Sequence, residues 1–264
     1  MKLTSGLVGA EVKGSIGWLI WDNQSKMNAL SPSMYPDALT VIEAFEANPA
    51  VKVVVMRGAG HRAFISGADI SSFAKSRSDA AATERAQAVP EQLRRAMLTM
   101  EKPMIAMIRG YCLGGGMGMA LNADIRFASS DSQFGIPAAH RGVAYAPDGL
   151  KQLVDVVGPS VAKDIMFSAR RLKADEALRV GLVNRVVEPE ELEAVTVEYA
   201  ETLAANAPLS IRASKYFINQ LGLERAERND VRMTAMQKEA ANSEDFKEAT
   251  QSFMEKRRPV FQGR

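Results

Sequence analysis

Lys102 to Ser129 reads KPMIAMIRGYCLGGGMGMALNADIRFAS. PMIAMI, Pro103–Ile108, is a short apolar run that predicts a buried strand, and Ile125–Ala128 predicts another. Between them, Gly110 to Gly118 holds five glycines in nine residues. Glycine loses more backbone freedom on ordering than any other residue, so the cluster marks a tight turn or a close approach to something bound. The apolar segment that follows predicts a helix, giving strand, glycine turn, helix and strand. Gly115 then falls at the helix N-terminus, where unpaired N–H groups and the helix dipole favour negative charge.

The flanking sequence carries the same alternation. Ile16–Trp21 and Val51–Gly58 are β-branched apolar runs that predict buried strands. Between them Ser31–Glu46 has helical spacing, with Tyr35, Leu39, Ile42 and Phe45 on one face. Ser71–Val89 is small, polar and weakly patterned, either a flap or a poorly ordered helix, and Pro90 suits the first position of a helix after it. Downstream, GLKQLVDVV and VAKDIMFSARR read as helices around Gly158, and Gly181 as a helix stop after ADEALRV. LVNRVV is strand-like, Pro189 opens another helix, and amphipathic segments run to Arg257. Strands alternating with helices predict an α/β fold. The predicted organisation is a mixed core over residues 1–190 and a helical region over 191–264.

The chain has 264 residues, 47% hydrophobic and 24% charged, with a net charge of +2. That balance, without a long basic run, argues against a nucleic-acid partner. One cysteine, Cys112, leaves no internal disulfide and fits a reducing compartment. With two histidines, His61 and His140, and no Cys/His cluster, no metal site is expected. The first residues lack a signal-peptide pattern, and no apolar run nears the roughly 18 residues of a membrane span. A soluble, cytoplasmic protein with no membrane partner is expected.

Several separated segments share one resemblance. HRAFISGADI (His61–Ile70), the Lys102–Ser129 stretch, SQFGIPAAHRGV (Ser132–Val143), the AxxAxxxGLVxxV pattern of Ala174 to Val186 and FMEKRRPVF (Phe253–Phe261) occur in this order. Together they resemble the crotonase, or enoyl-CoA hydratase/isomerase, superfamily over nearly the whole chain. The resemblance implies a repeated ββα spiral core with a helical C-terminal region for assembly as a homotrimer or dimer of trimers. It implies acyl-CoA thioester substrates, with coenzyme A entering as part of the substrate and no separate cofactor. By motif, the backbone N–H groups of Ala68 and Gly115 would hold the thioester oxygen. One such donor is worth about 2.7–4 kcal/mol in a transition state.

The sequence departs from the family where hydratases carry two glutamates, because those positions are Gly118 and Ala138. A positioned proton-transfer group typically contributes about 10²–10⁴ in rate, so ordinary hydration is expected to be weak. Three nearby residues are candidates for the missing chemistry. His140 has a near-neutral unperturbed pKa or is an ordinary surface histidine. Tyr145 offers a phenol or packs as an aromatic. Asp148 is a base, or a cap or first-turn acid for the helix it begins. For coenzyme A, the resemblance implies Lys26, the backbone of Ala63, Phe64 and Ile65, and Lys256 and Arg257. Two readings remain open at this level: an enzyme that stabilises a thioester enolate, or a non-catalytic acyl-CoA-binding oligomer serving as sensor or assembly partner.

Overall fold

The computed structural model describes residues 3–69 and 80–264, the side chains of 80–87 excepted. Its largest sheet has six strands. Strands β1 (Val8–Lys13) and β2 (Ile16–Trp21) form an antiparallel hairpin across a two-residue turn at Gly14 and Ser15. Strands β3 (Val53–Gly58), β5 (Met104–Ile108), β7 (Ile125–Ser129) and β10 (Arg185–Val187) add parallel strands in that order. A second sheet takes the intervening short strands: β4 (Ala63–Ile65), β6 (Tyr111–Leu113), β8 (Gln133–Gly135) and β9 (Leu172–Lys173).

The chain therefore alternates between sheets. The pairs β3/β4, β5/β6 and β7/β8 each place one strand in the first sheet and the next in the second. Helices α2 (Ala80–Thr99), α3 (Gly115–Leu121) and α4 (Pro147–Ser168) follow these pairs in turn. This is the repeated ββα spiral. Helix α1 (Met34–Ala47) precedes it, and α5 (Ala174–Arg179) leads to β10.

Continuous apolar runs form the main strands because both faces of the sheet are covered. Side chains alternate between faces. Ile16, Trp18, Ile20, Val53, Val55, Ile105 and Met107 bury on one side. Leu19, Trp21, Val54, Met56, Met104, Ala106 and Ile108 bury on the other, against α1 to α4 and the second sheet. Helix α6 (Leu192–Ala205) covers the first side, with Leu192 and Ala200 in that cluster. The expected division after residue 190 thus falls ahead of a helix that packs on the core sheet. Beyond it lie only helices: α7 (Pro208–Leu221), α8 (Asp230–Ala241), α9 (Glu244–Met254) and a 3-10 turn.

Two local expectations need correction. Pro90 lies inside α2 rather than at its start. The helix forgoes one backbone hydrogen bond there, while Leu93 and Met97 beyond it are fully buried and hold it to the core. Pro189 does not open α6, which begins at Leu192 after a turn closed by Glu191 N–H to Glu188 O. The Ser71–Val89 segment, read as a flap or a helix, falls partly on residues 70–79, outside the described residues, and from Ala80 onward it is helical.

Two other expectations hold in detail. The Ala174–Val183 pattern is α5 closing in a Schellman turn, with Leu182 N–H bonded to Ala177 O and Gly181 N–H to Leu178 O. The helices read on either side of Gly158 are the two halves of α4, broken at that residue.

Candidate active site

The site is assembled where three loops converge on the N-terminus of α3. The first runs from β2 through a 3-10 turn at Gln24–Lys26. Its Asn28 is buried in left-handed conformation, and its amide donates to the carbonyls of Ala59 and Ala63 at 2.9 and 2.8 Å. An asparagine tolerates that backbone region better than most residues. The clamp delivers Leu30 to the second loop, where Leu30 N–H bonds Gly67 O and Asp69 N–H bonds Leu30 O, both at 2.8 Å. Lys26 closes the same junction by pairing with Asp69 at 2.7 Å.

In this parallel bridge the partners of Leu30 are the groups flanking Ala68. The Ala68 N–H donates no hydrogen bond among the described residues. The third loop ends at Gly114, whose N–H bonds Gly135 O at 2.8 Å and whose φ of 52° and ψ of −113° suit glycine. Gly115 N–H opens α3 and also donates no bond among the described residues. The two N–H groups are neighbours: a Cβ built on Gly115 would stand 3.7 Å from Ala68 N.

Tyr145 reaches this turn. A Cβ on Gly114 would lie 3.6 Å from the Tyr145 hydroxyl. Burial pushes the Tyr145 phenol up, against the opposing charge of Arg141. Burial, and then the neighbouring Tyr145, push Tyr35 of α1 up to about 12. Both phenols therefore remain protonated donors at neutral pH. An unfolded tyrosine titrates near pH 10, so the unfolded chain releases this proton first. The stability contributed by neutral Tyr35 is complete below about pH 10 and falls as pH rises from 10 towards 12. Tyr35→Phe is expected to remove that loss, about 1 kcal/mol at pH 11, when urea unfolding is compared at pH 9 and 11.

The sequence profile of the enoyl-CoA hydratase/isomerase family matches residues 11–264. The chain belongs to that family. It is 35% identical over 255 residues to the short-chain-enoyl-CoA hydratase of Clostridium acetobutylicum, covering 94% of each chain. It is 31% identical over 241 residues to the methylmalonyl-CoA decarboxylase of Escherichia coli, covering 90% of this chain and 91% of that one. The solved structure of an enoyl-CoA hydratase/carnithine racemase from Magnetospirillum magneticum superposes with a TM-score of 0.91 at 32% identity, covering 98% and 96% of the two chains. The crotonase fold expected from the sequence is thereby established.

Within this family frame, the side chains expected to act are unevenly placed. Ala68, Gly115 and Tyr145 come together. Asp148 lies in the first turn of α4, so its first-turn reading holds, but the N-cap is Ala146. The Asp148 carboxylate is 3.6 Å from Arg94 of α2. His140 is exposed on a 3-10 turn, Ala139–Arg141, with no contact recorded to the Gly114 turn. A Cβ on Gly118 would meet nothing within 4 Å among the described residues, which leave space beside it, whereas Ala138 is buried.

Of the residues expected to meet coenzyme A, Ala63, Phe64 and Ile65 form β4 with buried side chains, which leaves only their backbone for a ligand. Lys26 is held by Asp69. Lys256 and Arg257 follow α9, and Arg257 is paired with Glu248 at 2.8 Å. Asp124 is structural, accepting from Met104 N–H and Lys215 at 2.7 and 2.8 Å. A cavity of about 400 Å³ lies apart from these residues, walled by the segments just before β3 and β5, and its Lys102 is already bound to the carbonyls of Phe45 and Asn48.

Arg94, Tyr35 and Asn28 were not singled out from the sequence as site residues. Arg94 had no signal at all, since nothing local marks a helix arginine that meets a distant helix.

Proposed function

We propose that this chain forms a thioester enolate between the N–H groups of Ala68 and Gly115, and that it does so by removing a carboxylate from the acyl α-carbon. The bond from Cα to the carboxylate breaks, carbon dioxide leaves, and the electron pair passes into the enolate held by the two donors. The Tyr145 hydroxyl then protonates Cα and is reprotonated from water. The observation that carries this reading is the pairing of two backbone donors, unengaged among the described residues, with a protonated phenol, while the positions of the family's two glutamates hold Gly118 and Ala138. Loss of carbon dioxide needs no base to abstract a proton or activate water. The similarity to a methylmalonyl-CoA decarboxylase supports the same choice.

Coenzyme A would lie along the backbone of Ala63, Phe64 and Ile65, near Lys26. Lys256 and Arg257 would reach its phosphates from a neighbouring subunit. Assembly through the C-terminal helices is supported by their exposed apolar side chains, among them Val231, Phe246, Phe253 and Met254.

The test follows malonyl-CoA and crotonyl-CoA by mass spectrometry. Wild type is expected to release carbon dioxide from the first and to hydrate the second slowly. The Gly118→Glu/Ala138→Glu variant is expected to raise crotonyl-CoA hydration by about 10² or more. Efficient hydration by wild type, without carbon dioxide release, refutes the proposal. Binding of both thioesters with no turnover identifies a non-catalytic acyl-CoA-binding oligomer instead.

A further inference from the structure

The open space beside Gly118 has a definable wall. Tyr145 reaches Gly114 at one end of α3, and Gln152 of α4 donates to Asn122 at the other end at 2.8 Å. These two contacts bracket the segment between, so Asp148 and Gly149 run alongside Gly118. Helix α2 passes the same ground. The amide of Asn122 lies 3.9 Å from Met97 Sδ, and one turn earlier Arg94 lies 3.6 Å from Asp148. Arg94 and Asp148 therefore meet between the levels of Gly114 and Asn122, the stretch of α3 that holds Gly118.

The guanidinium is oriented and incompletely engaged. Glu91 holds its Nε and Nη2 from one side, each at 2.7 Å. Asp148, its other partner, is beyond hydrogen-bond distance and its side chain is 72% exposed. Nη1 makes no hydrogen bond among the described residues. A planar fork fixed on one edge and open on the other suits a carboxylate, which can take the open edge while Asp148 turns to solvent. A glutamate at position 118 would have occupied this space and repelled such a ligand.

We infer that Arg94 is the specificity residue of the acyl cleft, selecting acyl groups that carry a carboxylate one or two carbons beyond the thioester carbonyl. Gly118 lies three residues along α3 from Gly115, about 4.5 Å of rise, which matches that reach. This rests on the acyl-CoA reading above and narrows its substrate class. Arg94 acts in recognition and not in bond cleavage. Its loss is expected to raise KM for carboxylated substrates and leave kcat unchanged or higher, because binding of the leaving carboxylate stabilises the ground state.

The test is equilibrium binding of succinyl-CoA and of 4-methylpentanoyl-CoA, its uncharged isostere, by calorimetry. Neither has a carboxylate on Cα to lose. Wild type is expected to favour succinyl-CoA by about 10- to 100-fold, the range of a charge-assisted contact. In Arg94→Gln the ratio of the two affinities is expected to fall to about one, and Arg94→Lys, which keeps the charge without the fork, to give an intermediate ratio. Equal binding of the two thioesters by wild type, or an unchanged ratio in folded Arg94→Gln and Arg94→Lys, overturns the assignment. Failure to bind either thioester overturns the acyl-CoA reading itself.

Discussion

Ala68→Pro and Gly115→Pro are each expected to slow carbon dioxide release from malonyl-CoA by about 10²–10³. Proline deletes the one atom each position is proposed to contribute, the N–H hydrogen. Neither substitution removes a backbone bond made among the described residues. The Leu30 bridge uses Gly67 O and Asp69 N–H, so removing the Ala68 N–H breaks no recorded backbone bond. Gly115 is the first residue of α3, where proline is well tolerated. Its Cβ would stand 3.2 Å from Leu30 Cδ1, the movable end of a side chain. Circular dichroism and a thermal melt establish that the variants fold. Carbon dioxide release at the wild-type rate in a folded Gly115→Pro protein would remove the oxyanion role from this backbone.

The second large effect separates two glycines of one short helix. Gly116→Ala is expected to cost about 3 kcal/mol or more, a fall in melting temperature of roughly 6–12 °C. Its Cβ would lie 2.2 Å from Ile65 O and 2.9 Å from Ile65 Cβ. The carbonyl belongs to β4, so relief requires backbone movement of the strand that precedes Ala68. Gly118→Ala is expected to do the reverse, gaining about 0.5–1 kcal/mol, because alanine favours helix and no described residue stands within 4 Å of its Cβ. Differential scanning calorimetry on the two variants reads the contrast directly. Equal melting temperatures would mean that α3 does not press on β4 as closely as the structure has it.

The same contrast marks the boundary of what the amino-acid sequence decides. The runs at Ile16–Trp21, Val53–Gly58 and Met104–Ile108 were legible because a strand buried on both faces must be apolar at every position. The glycine turn before α3 was legible because only a crowded or left-handed backbone favours so many glycines together. Hairpin strand β1 was missed, although Val8, Ala10 and Val12 alternate before the Gly14–Ser15 turn. The site backbone, Ala68 with Gly115, came from motif order.

The rest depended on distance in space. Strands β4, β6, β8 and β9 have two or three residues each, too few for any period to register, yet their pairing makes the second sheet and sets the site. Helix α2 runs through Pro90 because burial of Leu93 and Met97 beyond it outweighs one lost hydrogen bond. Whether a glycine needs its bare Cα depends on what is packed against it, so Gly116 and Gly118 read alike in sequence and differ in the fold. Arg94 meets Asp148 only because two helices remote in sequence cross one cleft. Local propensity and patterning determined the elements and the turn. Packing between distant segments alone decided which groups meet around the N-terminus of α3, because the contacts that fix them are not local to any stretch of the chain.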